Sequence, residues 1–176
     1  MSRRPSPAGG ARPAGEAARD PRAAVGYPSG LAYHGSDLYV LDEGNHRLLK
    51  VTADGAVTKL VGYAPDVGPI GLDPGERRPA AGFPATGVAL AVDAQGRPYW
   101  VSGDVRQVYR LAADGMVELV AGKRFVRPAG GLGEPTAAEV LSTAHGDGGP
   151  ARDATLVKPN GLAFDLGDTH GRNGDG

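Results

Sequence analysis

The densest group of side chains capable of chemistry lies between residues 42 and 47. Asp42, Asn45, His46 and Arg47 follow directly on the apolar run Leu38–Leu41. Carboxylate and amide oxygens are ligands that divalent cations prefer, and a histidine near a carboxylate can act as a general base. In the structural interpretation, Asp42 and Arg47 instead brace a turn through a charge-assisted hydrogen bond, and His46 is an exposed turn residue. We favour the structural interpretation.

An aromatic side chain is the remaining candidate for binding. Trp100 follows Tyr99 in the apolar run 98–101. A ring in a groove can stack on a ligand or a nucleic-acid base, whereas side-chain alternation along a strand favours a core position for one of the two rings. The four histidines are scattered and show no metal-ligand spacing. We therefore predict no metal-binding set and no cofactor, with a divalent cation near Asp42 as the alternative.

These residues fall inside an internal repeat. The stretch Leu38–Gly62 returns without a gap as Pro98–Gly122, at an offset of 60 residues. Among the matches are Tyr39 with Tyr99, Asp54-Gly55 with Asp114-Gly115, and Gly62 with Gly122. Repetition on this scale is typical of solenoid and propeller architectures.

Each repeat is predicted to form four short antiparallel strands. Pro-Gly openings precede the strands at Pro28–Ala32, Pro84–Ala89 and Pro159–Ala163, so the chain has three openings and two complete units. An Asp-Gly pair between apolar runs is a strong hairpin signal. The strands are predicted at Gly30–Tyr33, Leu38–Asp42, Arg47–Thr52 and Val57–Val61, and at Gly87–Val92, Pro98–Ser102, Gln107–Leu111 and Val117–Val120. This pattern predicts an all-β chain built from propeller blades.

Composition sets the limits of the ordered part. With 29 Gly, 15 Pro and 6% aromatic residues among 176, the chain favours strands and turns over helices. Residues 1–25, rich in Arg, Pro and Ala, and the Gly/Asp-rich residues 166–176 are predicted to be disordered. Residues 26–165 hold the blades, at 28–62, 84–122 and, for the start of a third, 159–165. The connectors 63–82 and 123–158 are predicted to be long loops.

The quoted motifs resemble the NHL-repeat family. The first unit carries the resemblance through Pro28-Ser-Gly-Leu-Ala32, the apolar strand ending at Asp42, and Asn45-His-Arg47; the second unit departs from it at Ser102–Gln107. The resemblance covers about residues 28–165 and implies a six-bladed propeller. Two blades and the start of a third make an incomplete one, whose open edges favour association.

The resemblance implies two functions. The first is a non-catalytic scaffold that binds a protein or small ligand through loops at the top of the blades, with self-association as a way to close the ring. The alternative is a fragment of a metal-dependent lactonase or lyase of propeller type, with Asp42 and Asn45 as partial ligands.

Net charge and hydropathy limit the classes of partner that the chain is expected to bind and the cell compartment in which it is expected. A net charge of −1 argues against a nucleic-acid partner. The absence of an apolar run of membrane-spanning length argues against a membrane partner. Without an apolar segment after Arg3-Arg4, we expect a cytoplasmic protein, although many bacterial relatives of this type work outside the cytoplasm.

Overall fold

The computed structural model describes residues 24–62, 70–124, 146 and 148–164, and these form an all-β arrangement of two antiparallel sheets. The first sheet, blade 1, has the strand order β1-β2-β3-β4. The second, blade 2, has the order β5-β9-β8-β7-β6. The strands are β1 Pro28–His34, β2 Asp37–Asp42, β3 Arg47–Val51, β4 Val57–Gly62, β5 Arg77–Pro79, β6 Ala89–Val92, β7 Pro98–Ser102, β8 Gln107–Leu111 and β9 Met116–Ala121. The predicted fold class and the eight predicted strands are confirmed, with ends shifted by one or two residues.

The two repeats of the sequence have the same backbone features at matching positions. Both Asp-Gly pairs close hairpins, with Gly55 at φ +85° and Gly115 at φ +78°. Each third strand has an irregular pairing at the same place, after Leu48 in blade 1 and after Val108 in blade 2. The positions that enter the two third strands, residues 46 and 106, both adopt positive φ. The two blades are therefore one structural unit built twice.

The two blades share one apolar core. From blade 1 it takes Leu41, Leu48 and Val61, all fully buried. From blade 2 it takes a cluster of rings, in which Trp100 and Tyr109 lie 5.6 Å apart. Burying such side chains contributes roughly 1.5–3 kcal/mol each, so the contact between blades is a major source of stability.

The first strands of the two blades lie side by side at the inner edge of this core. Gly30 of β1 approaches Leu90 of β6 so closely that a Cβ on Gly30 would lie 2.8 Å from the Cβ of Leu90. A larger residue would push the strands apart. The glycine of the opening motif is therefore explained by the packing of one blade on the next.

The connector between the blades is more ordered than predicted. Its residues 77–79 form β5, which pairs with the outer strand β9 of blade 2. A short 3₁₀ helix, Ala80–Gly82, follows, and Phe83 then enters the core with its ring 5.1 Å from that of Tyr109. The prediction of a structureless loop over 63–82 was wrong for this part, because three residues of the connector complete the edge of blade 2. Residues 63–69 lie outside the described residues.

Gln107 fixes the connector to blade 2. Its fully buried amide accepts a hydrogen bond from the backbone N–H of Leu72 (2.9 Å) and donates to the carbonyls of Leu72 (2.7 Å) and Gly122 (3.0 Å). The Tyr109 hydroxyl lies 2.7 Å from the Gln107 oxygen and 2.9 Å from the carbonyl of Ile70. Backbone groups that would otherwise be buried without partners are thus satisfied by one side chain.

The predicted opening strand of a third blade does not form a strand in residues 159–164. Leu156 and Leu162 pack on the face of blade 2 that is turned away from blade 1, and Phe164 stacks edge-on against Tyr99 with ring centroids 4.6 Å apart. A first strand pairs with the second strand of its own blade, and no such partner lies among the described residues. Residue 165, most of the second connector and the end 166–176 lie outside them.

Ala24 and Val25 precede the predicted blade boundary at residue 26 and lie beside the first turn of blade 1. Residues 1–23 of the predicted tail lie outside the described residues, but Ala24 and Val25 are described. The carbonyl of Ala24 accepts hydrogen bonds from Asn45 (3.2 Å) and Arg47 (3.0 Å). Two side chains of blade 1 therefore hold the segment that enters β1.

Replacing Gln107 by methionine tests its role. Gln107→Met keeps the approximate side-chain shape but leaves the buried backbone groups of Leu72 and Gly122 without partners. We expect a loss of about 2–4 kcal/mol in the free energy of unfolding, measured by urea denaturation. Gln95→Met, at an exposed turn, is the control and should cost less than about 0.5 kcal/mol. Equal losses in the two variants would contradict the assignment.

Candidate functional site

The Asp42 carboxylate is the centre of the candidate site, and it is fully buried. Its Oδ1 accepts hydrogen bonds from the backbone N–H groups of Gly26 (2.9 Å) and Tyr27 (3.3 Å). Its Oδ2 accepts from the Asn45 amide (2.7 Å) and from Nε of Arg47 (2.8 Å). A carboxylate offers about four lone-pair sites, so these four donors occupy its whole capacity.

This arrangement lowers the pKa of Asp42. Burial alone acts to raise the pKa, because it disfavours the charged form. The hydrogen bonds from Asn45, Arg47 and the backbone of Gly26 and Tyr27 outweigh it and hold the pKa below its usual value. Asp42 is therefore an anion at neutral pH, held by the chain itself. A cation could reach it only by displacing at least one of these donors.

The elements around Asp42 explain why these residue types occur here. Asp42 ends β2, the 3₁₀ helix Glu43–Asn45 turns the chain, and Arg47 begins β3 directly opposite Asp42 in the register. His46 lies between them with φ +52° and ψ +41°. The sequence predicted that Asp42, Asn45 and Arg47 would lie together, and the structure does bring them together; their role in binding stays a prediction.

His46 makes no side-chain hydrogen bond to the Asp42–Arg47 ion pair. Its Nδ1 is buried and has no hydrogen-bond partner among the described residues, and its backbone carbonyl accepts from the N–H of Ala85. The His46 backbone therefore links the turn of blade 1 to the start of blade 2. Whether the imidazole binds a ligand stays a prediction.

Trp100 lies in the shared core rather than in a groove. Its side chain is fully buried, with the Phe83 ring 6.2 Å away in an edge-on arrangement. Its Nε1 has no hydrogen-bond partner among the described residues. Of the two roles considered for Trp100, the structure shows the core position, because the residue falls on the face of β7 that meets blade 1.

Two acidic residues near the site were missed by the sequence analysis. Glu43 lies in the turn of blade 1 and Asp104 in the corresponding turn of blade 2, 103–106. Partial burial and the charge of Asp104 raise the pKa of Glu43. The two turns are thus close enough to interact, and we call the end of the blades where they lie the upper end. The repeat could have indicated this pair, because the turns 43–46 and 103–106 match at the 60-residue offset.

The described part of the chain holds neither a metal-ligand cluster nor a membrane-spanning helix. Within 24–62, 70–124, 146 and 148–164, no three His, Cys, Asp or Glu side chains are grouped so as to hold a metal ion. None of the helices in this part has the length and apolar character of a membrane span.

Comparisons with known proteins support the fold alone. No protein-family model matches the chain, and no curated protein matches it in sequence. A structural genomics protein of unknown function from Bacteroides thetaiotaomicron superposes with a TM-score of 0.53 at 22% identity. The match covers 74% of this chain but only 28% of that one, so the chain spans well under half of the structure it resembles.

Weaker matches include two lyase structures. A virginiamycin B lyase from Staphylococcus aureus and a streptogramin B lyase each give a TM-score of 0.36 at 13% identity and cover 52% of this chain. The matches cover 26% and 25% of the two lyases. At this level of similarity they carry no argument about activity.

The Asp42 network predicts a specific dependence on pH. Because the folded-state pKa is lowered, the stabilisation is present above the ordinary pKa of 3.8 and is lost as the pH falls through the folded-state value. Asp42→Asn should lose about 3 kcal/mol of unfolding free energy at neutral pH, the scale for breaking a buried ion pair. Below the folded-state pKa the difference from the unmodified chain should vanish.

Chemical denaturation across the pH range checks this. Asp73→Asn removes an exposed carboxylate and is the matched control, which should change stability little at neutral pH. A pH-independent cost for Asp42→Asn would show that the carboxylate charge is not what holds the network.

Proposed function

We propose that the chain is a segment of an NHL-type β-propeller that binds a protein or other ligand through loops at the upper end and has no catalytic role. The observation that carries the proposal is the complete use of Asp42 by hydrogen bonds within the chain. The motif that could have supplied a metal ligand or an active carboxylate instead ties residues 24–27 to blade 1. Ligand binding would then depend on the turns that surround Asp42 at the upper end.

The upper end offers the polar groups that such recognition needs. The turns 43–46 and 103–106 come from two blades that share a rigid core, and loops on a rigid repeat are the usual place for binding residues. Glu43 and Asp104 bring two carboxyl groups together there, which favours a partner carrying a basic group. A metal-dependent lactonase or lyase is the alternative, and it requires ligands from further blades.

Association through blade 1 is a second part of the proposal. Leu31 and Tyr33 are 63% and 71% exposed on β1. Since Ala32 packs into the core, alternation places Leu31 and Tyr33 on the face turned away from blade 2. A further blade-like surface, from self-association, would cover this apolar face. Light scattering would detect self-association as a mass above 17.9 kDa.

Site-specific crosslinking tests the upper end. A photo-crosslinking amino acid is placed at position 103, in the upper turn of blade 2, where a side chain has room, and in a matched variant at position 113, in the hairpin turn at the opposite end. We expect discrete adducts with a cellular partner from position 103 and none from position 113. Equal labelling from the two positions would contradict recognition at the upper end.

Activity and metal-binding assays on the purified protein distinguish a non-catalytic scaffold from a metal-dependent enzyme. For a non-catalytic module we expect no hydrolysis of lactones and no change in melting temperature with millimolar Ca²⁺ or Zn²⁺. Metal-dependent turnover, accompanied by a rise in melting temperature, would contradict the scaffold proposal and support the metal-dependent enzyme.

A further inference from the structure

A groove lined by three arginines lies on the outer part of blade 2. Arg77 comes from β5, Arg110 from β8 and Arg152 from the short 3₁₀ helix Ala151–Asp153. Glu76 and Glu118 complete its charged lining, and its volume is about 380 Å³. Three separate parts of the chain therefore bring guanidinium groups to one place.

The carboxylates in the groove neutralise only part of this charge. Glu118 lies between two arginines, at 2.7 Å from Arg77 and in a short contact with Arg110. Arg77 is also paired with Asp114 (2.7 Å). The charge of Glu76 is taken by Arg78, which lies outside the groove, at 2.7 Å.

Arg152 differs from the other two arginines. Its side chain is exposed and makes no ion pair with any residue of the described part of the chain. It lines the groove in which Glu118 already lies between two arginines. Among the described residues that line the groove there are three arginines and two glutamates, although the whole chain has a net charge of −1.

The corresponding position in blade 1 carries a lysine in place of the arginine. Lys50 occupies the place of Arg110, and it is paired with Asp37 at 2.6 Å. The crevice beside it, about 450 Å³, is lined by Lys50, Lys59 and, from the turn of blade 2, Arg97, and none of its described lining residues is acidic. The groove of blade 2 differs from it in combining arginines with a carboxylate that is held between two of them.

We propose that this groove binds a carboxylate side chain of an acidic peptide, held by Arg152 beside Arg77, while Arg110 stays bonded to Glu118 and Tyr99. The binding mode of Glu118 shows how the groove holds a carboxylate, between two guanidinium groups in the manner that arginine favours. The groove lies among exposed residues of the blade surface, where a peptide side chain can reach it. It lies apart from the upper end and does not depend on the function proposed for that end.

Binding of a capped hexaglutamate peptide to the purified chain tests this site. We expect weak, saturable binding at low salt, detected by calorimetry or NMR, which weakens as salt is added. Arg152→Glu should weaken it about fivefold or more, the scale of a reversed charge contact. Arg152 is exposed and makes no ion pair within the described part of the chain, so we expect this variant to unfold as the unmodified chain does.

Two controls define the outcomes. Lys59→Glu makes the same change of charge at an exposed lysine that lines the crevice beside blade 1 and should leave the affinity within about twofold, while a capped hexaglutamine peptide should not bind. If Lys59→Glu weakens peptide binding as much as Arg152→Glu does, the effect comes from the net charge of the chain, and the proposed site is overturned. Saturable binding of inorganic phosphate but not of the peptide would also overturn it, because the groove would then recognise a small free anion. An absence of any saturable binding would do the same.

Discussion

The packing of one blade on the next is the contact on which the rest of the structure depends. A four-stranded sheet has two faces, and a single blade cannot remove both from water. Here the inner face of blade 1, through Leu41 and Leu48, closes over the rings of blade 2, and Phe83 from the connector fills the space between them. Neither sheet keeps this core without the other. The close approach at Gly30 and the position of Trp100 follow from that single contact.

Buried polar groups then decide how the connecting segments attach to this core. Arg47 and Gln107 occupy the same position in the repeat, and each ties to its blade the segment that precedes the first strand. In blade 1 the tie is an ion pair with Asp42 that also holds residues 24–27; in blade 2 it is a neutral amide bound to Leu72. The second blade therefore lacks the charged group of blade 1, and a neutral side chain at the same repeat position makes an equivalent attachment. This equivalence favours a structural role for the Asp42 motif.

The sequence predicted the repeated parts well, because they depend on local patterns. Alternating apolar residues and the Asp-Gly pairs located eight strands and both hairpins, and the motif spacing placed Asp42 with Arg47. Strand β5 was not predictable in this way, since Arg77–Pro79 has no apolar alternation and forms a strand only because β9 offers it an edge. The same limit applies to Pro159–Phe164, where a strand-like sequence has no pairing partner among the described residues. Gln107 was missed because its importance comes from Leu72, a residue 35 positions away.

Equilibrium unfolding of Leu41→Ala tests most directly whether the blades form one unit. Leu41 belongs to blade 1, while Trp100, the only tryptophan of the chain, reports on blade 2. If the core is shared, the variant should lose about 2–5 kcal/mol, and tryptophan fluorescence and far-ultraviolet circular dichroism should shift together in one transition. If the fluorescence transition stays where it is in the unmodified chain while the dichroism changes, the blades fold separately and the account is contradicted.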